Sequence, residues 1–84
     1  MWLIEDNPDE DGVFLPVNID HIQYVNIDIS ENKTSWCVKF CLGQNNNSKW
    51  IMWWFSKEAD RDKYYQNILK KLPRIDLEIN DITL

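Results

Sequence analysis

The chain has 84 residues, 44% hydrophobic and 27% charged, and a formal net charge of −5. This composition belongs to a globular chain, not a disordered one, and no apolar run reaches the ~20 residues of a membrane-spanning helix. The acidic total argues against direct nucleic-acid binding, because a phosphate backbone demands a basic footprint.

Residues 1–84 are expected to form one small domain. A domain of this size buries only ~60% of the surface that its unfolded chain exposes, so contact with a second surface adds usefully to its stability. Residues 1–4 read as a short strand, and residues 5–12 (EDNPDEDG) as a polar loop closed by Gly12. Residues 13–19 alternate, with Val13, Leu15, Val17 and Ile19 on one face and Phe14, Pro16 and Asn18 on the other. Pro16 cannot donate to a ladder, which marks an edge strand. Residues 22–29 form the next strand, with Val25, Ile27 and Ile29 inward and Tyr24, Asn26 and Asp28 outward. A turn over residues 30–34 leads to a strand over 35–42, an Asn-rich loop over 43–48, and a strand over 49–55.

Ser56 has the chemistry of a helix N-cap, and Glu58 and Asp60 suit the first turn of the helix that follows, from Lys57 to about Leu72. Its apolar stripe is Ala59, Tyr65, Ile68, Leu69 and Leu72, and Pro73 stops it. Residues 75–84 begin as a last alternating strand through Ile75, Leu77 and Ile79. The predicted class is α+β: an antiparallel sheet of four to five strands with one helix on one face, in the order β-β-β-β-α-β. A partial barrel of the pleckstrin-homology-like shape is a compatible alternative.

The most informative segment is Trp50-Ile51-Met52-Trp53-Trp54-Phe55. Alternation in a strand sends Trp50, Met52 and Trp54 to one face and Ile51, Trp53 and Phe55 to the other. A sheet with one wet face reads apolar, polar, apolar; this strand has no polar side. The expected hairpin register sets Phe40 near Ile51, Val38 near Trp53 and Trp36 near Phe55, and the helix packs on that face. The opposite face then gathers Trp50, Met52 and Trp54 beside Cys41, Lys39 and Cys37, with Tyr24 extending it. A flipped register, with Trp53 outward, is the alternative. Three covers for the second face stay open: the chain's own terminal segments, a second copy in a two-fold dimer, or a different protein anchored by the tryptophans.

Charge is unevenly spread. Residues 1–31 hold eight acids and no lysine or arginine, residues 33–74 hold all nine bases and three acids, and residues 75–84 hold three acids. Ordinary attraction within the fold accounts for this pattern. So does an acidic patch (Glu5, Asp6, Asp9, Glu10 and Asp11) offered to a basic partner, or a head-to-tail charge match between two copies.

Signals for chemistry are weak. Residues 7–12 echo the first half of a calcium loop, but position one is Asn7 and the closing glutamate falls at Asn18, so no metal is expected. His21 with Cys37 or Cys41 offers a base and a nucleophile only if the fold brings them together. Cys37 and Cys41 lie ~13 Å apart along one strand, too far for a disulfide or a shared zinc. The first residues lack the basic start and apolar length of a signal peptide, so a cytoplasmic location with reduced thiols is expected. No cofactor is implied. The expected function is a non-catalytic protein-interaction module or subunit, homodimerising through the aromatic sheet face. The runner-up is a small acidic inhibitor of a nucleic-acid-processing protein. In size and charge the chain is similar to small phage-borne inhibitors of bacterial defence nucleases.

Overall fold

The computed structural model describes residues 1–44 and 47–72. Among these residues, five strands and one α-helix follow in the order β1 (Trp2–Leu3), β2 (Val17–Asn18), β3 (Ile22–Ile29), β4 (Trp36–Gln44), β5 (Asn47–Phe55) and α1 (Glu58–Lys71). The class is α+β, as the pattern predicts. The strands divide into two antiparallel sheets, a three-stranded one in the order β3-β4-β5 and the short pair β1-β2. The single sheet of four or five strands is interrupted between Asn18 and Ile22. There, residues Ile19–His21 form a 3-10 turn, capped by Asn18 Oδ1 accepting from the Asp20 N–H at 3.0 Å. The turn redirects the chain, so β2 pairs back with β1 and not with β3. The predicted strand over residues 75–84 and the stop at Pro73 lie outside the described residues.

The β4–β5 register matches the expected one. Trp36 faces Phe55, Val38 faces Trp53 and Phe40 faces Ile51. Trp53 is 1% exposed and lies in the core with Phe40, Phe55, Val38, Ile68 and Leu72, which excludes the flipped register. Burying each such side chain is worth ~1.5–3 kcal/mol.

Two elements cover this inner face. One is α1. The other is the N-terminal hairpin, whose Leu3, Phe14, Val17 and Ile19 enter the same core. Phe14 stacks on Trp53 with centroids 4.9 Å apart, and meets Phe55 at 5.0 Å and Tyr64 at 6.0 Å. The Trp53 indole N–H donates to the Leu15 carbonyl at 2.9 Å, so the one polar atom of this buried ring is satisfied. Here the predicted facing of residues 13–19 is corrected. Val13 and Leu15 are exposed while Phe14, Val17 and Ile19 are buried. Regular pairing around Pro16 is lost, and the inward set shifts phase between Phe14 and Val17.

The helix starts one residue later than predicted, and its cap differs. Lys57 is the N-cap residue and makes no side-chain cap bond. Ser56 instead gives both its N–H (2.9 Å) and its hydroxyl (2.6 Å) to the Asp9 carboxylate, tying the N-terminal loop to the start of α1. Of the predicted stripe, Ile68 and Leu72 are buried and Ala59 is exposed. Two inward residues were not foreseen. Tyr64 packs on Phe55 at 5.0 Å and donates its hydroxyl to the Asp6 carbonyl at 2.7 Å. Arg61 is buried, with all three guanidinium nitrogens engaged: Nε on Asp62 (2.8 Å), Nη1 on the Asp28 carbonyl (3.0 Å) and Nη2 on Glu58 (3.3 Å).

β3 is a sheet edge. Its Ile27 N–H bonds to Asn26 Oδ1 at 3.2 Å and its Ile29 N–H to Asp28 Oδ1 at 2.8 Å. In an antiparallel pair, alternate residues turn their backbone groups away from the neighbour. These two donors, two residues apart, are ones that β4 does not use. Ile27 and Ile29 are on the predicted inner face, opposite Val38 and Trp36, but both are exposed among the described residues.

Candidate protein-interaction face

The outer face of the three-stranded sheet is built as three cross-strand rows: Tyr24–Cys41–Trp50, Asn26–Lys39–Met52 and Asp28–Cys37–Trp54. The sequence-predicted site residues Tyr24, Lys39, Trp50, Met52 and Trp54 are therefore brought together. Tyr24, Trp50, Met52 and Trp54 are each 43–46% exposed. The small cysteines sit low in the middle strand. Cys37 and Cys41 are buried beneath their larger neighbours, and both are free thiols.

Specific contacts order the large side chains. Tyr24 meets Trp50 edge to face at 5.6 Å. The Lys39 ammonium stands 4.7 Å from the centroid of the Trp50 ring and 3.5 Å from Asp28 Oδ2. Its charge is shared between a π face and a carboxylate. The Ile29 N–H, then the Lys39 ammonium, hold the Asp28 carboxyl below its ordinary range. Burial, then the Cys41 thiol, push the Tyr24 hydroxyl above its ordinary range. The face thus carries one cation and one anion paired with each other, set among aromatic rings.

The Cys37 thiol shows no activation. Burial, then the Asp28 charge, raise Cys37 to about 11. Cys41 Sγ donates to Gln23 Oε1 at 3.5 Å and not to His21, which lies in the 3-10 turn. Neither arrangement resembles a nucleophile paired with a base.

The acidic residues split into two groups. Glu5 pairs with Lys71 at 2.6 Å, and Asp9 holds Ser56. These two brace the loop against α1. Asp6, Glu10 and Asp11 are exposed and make no ion pair among the described residues. In the calcium-like stretch Asn7 Oδ1 accepts from the Asp9 N–H at 2.9 Å, and the Asn7 N–H reaches the Gly12 carbonyl at 3.0 Å. Gly12 adopts φ +101, a conformation open to glycine at little cost. Among the described residues, no three His, Cys, Asp or Glu side chains converge as metal ligands, and no helix is long and apolar enough to cross a membrane.

Sequence reasoning missed a second apolar surface. The outward side of the N-terminal hairpin presents Trp2, Ile4, Val13 and Leu15, each 52–65% exposed. The pairings Leu3↔Val17 and Asp6↔Val13 place these residues on the side away from Leu3 and Phe14. The available signal was the alternation of Trp2 and Ile4 about Leu3, matched by Val13 and Leu15 about Phe14. No family model matches this chain, and neither a curated protein nor a solved structure is significantly similar to it.

Proposed function

We propose that this chain is a non-catalytic interaction module that associates with a second copy of itself through the Tyr24/Trp50/Met52/Trp54 face. The observation that carries the reading is the position of that face. α1 and the N-terminal hairpin both pack on the opposite side of the sheet, so neither covers it. Met1–Ile4, one of the expected covers, is committed to the inner side through Leu3. Aromatic residues and methionine clustered at a surface are the composition of an interface centre. The charge on the face is balanced by the Lys39–Asp28 pair, so a second copy can approach despite the net charge of −5. In the same reading the two- and three-stranded sheets act as two walls of a partial barrel around Trp53, and the free thiols belong to a cytoplasmic protein.

Light scattering and sedimentation across a range of concentrations test the proposal. The native chain should gain mass with concentration. A Trp50→Ala/Trp54→Ala variant should stay a single chain while keeping its fold. A native chain that is a single copy at every concentration would refute self-association. A second reading, an acidic inhibitor seated in a basic groove, draws on Asp6, Glu10 and Asp11 at the loop. It predicts salt-sensitive binding to a basic protein, lost on neutralising those three residues.

A further inference from the structure

We infer that the surface seated on the aromatic sheet face is the outer side of a second copy's N-terminal hairpin, giving head-to-tail association and not a symmetric face-to-face pair. The inference rests on the self-association reading and adds the identity of the opposing surface.

The chain exposes two apolar patches. One is the sheet face. The other, on Trp2, Ile4, Val13 and Leu15, is proportionally more exposed. From the areas such side chains bury, each patch offers roughly 350–400 Å². A standard interface takes ~800 Å² from each partner, so either patch forms the apolar centre of one and the polar surroundings its rim.

Three pairings of these patches are available. Hairpin on hairpin brings Asp6 toward its own copy, and the nearby cations are already engaged, the Met1 ammonium by Asp20 and Lys71 by Glu5. Sheet on sheet is tolerated in charge, but leaves both hairpin patches in water. Hairpin on sheet covers both patches with one repeated contact. It sets the acidic hairpin against a face whose Lys39–Asp28 pair is already balanced, so no net repulsion arises there. Apolar burial favours the third pairing, and charge does not oppose it. The shape of the hairpin suits this role, because Phe14 and the Trp53–Leu15 hydrogen bond anchor it from beneath and leave its outer side presented on a rigid base.

A head-to-tail contact does not use up both surfaces when two copies meet. It grows into an open chain or closes as a ring. This property supplies the test. One full-length variant, Trp50→Ser/Trp54→Ser, loses the receiving face. Another, Trp2→Ser/Leu15→Ser, loses the inserted one. Near-ultraviolet circular dichroism and the urea midpoint, measured on dilute protein, confirm that each variant keeps the Trp53 core. The native chain should pass beyond two copies as concentration rises. Each variant alone should associate at least tenfold more weakly. An equimolar mixture should recover association and stop at one copy of each. A hairpin variant that dimerises as tightly as the native chain would overturn head-to-tail packing and leave the sheet-face reading standing. A native chain that is a single copy throughout would overturn both, leaving the sheet face to a foreign partner or to the chain's own residues 73–84.

Discussion

Trp53 and Trp54 are neighbours in sequence on opposite sides of a sheet, so replacing each by alanine separates folding from association. Trp53 is enclosed by Phe14 and Phe40 and donates to the Leu15 carbonyl. Truncating a buried aromatic of this size costs ~3–5 kcal/mol, and loss of the hydrogen bond adds ~1 kcal/mol. At ~0.05–0.15 kcal/mol per residue, a domain of this length has a total stability of the same order as that loss. Trp54 stands with nearly half its surface in water and pairs across the ladder with Cys37. Its removal costs ~1–2 kcal/mol, from cross-strand packing and strand preference. With a urea slope of ~1.5 kcal/mol per molar, the two midpoints should differ by ~1 M or more. The titration is run on dilute protein, because association stabilises the native state by mass action and would inflate the Trp54 effect. Equal midpoint shifts, or a larger one for Trp54→Ala, would refute the assignment of faces on which both proposals depend.

Three further outcomes follow from particular contacts. Ser56 holds the Asp9 carboxyl below its ordinary 3.8, the hydroxyl first and the backbone N–H second. A depressed carboxyl stabilises the fold above its unfolded value and loses that contribution as pH falls through the folded one. Stability should therefore decline below pH ~4, and Asp9→Ala should flatten that decline in an acid titration followed by tryptophan fluorescence. Arg61→Ala removes the donor to the Asp28 carbonyl and should cost ~1–3 kcal/mol in a thermal melt; a neutral result would show that the buried guanidinium is incidental. With Cys37 at about 11, only roughly one molecule in a thousand carries its thiolate at pH 8. A thiol reagent should label it slowly in the native state and rapidly in urea, and fast native labelling would contradict its burial.

What the sequence disclosed divides by the range of the interaction. The β4–β5 register was readable because both strands are apolar on the same side, so a one-residue slip would drive Trp53 and Phe40 into water. The outward grouping of Tyr24, Lys39, Trp50, Met52 and Trp54 followed from the same constraint. The facing of residues 13–19 was not readable. Val13, Leu15, Val17 and Ile19 alternate perfectly, yet Phe14 displaces Val13 and Leu15 because its ring stacks on Trp53, thirty-nine positions later. The Ser56 cap failed for a similar reason. A serine before a helix has the right chemistry, but the nearest strong acceptor proved to be Asp9, from a distant loop. Arg61 carries no inward signal of its own, because its buried guanidinium depends on a carbonyl of β3. Periodicity reports which side of an element is apolar; it does not report which remote group arrives to take a hydrogen bond.

The bonds from Asn26 and Asp28 to the following amides have a consequence for how crowded copies behave. An unblunted rim invites a neighbouring polypeptide to zip on through main-chain pairing, the route to fibrils. Here an incoming strand must first evict two local acceptors, one of them a carboxylate that Lys39 also holds. Replacing both acceptors with alanine would leave an open margin beside the exposed Ile27 and Ile29, and should raise thioflavin fluorescence in concentrated solution.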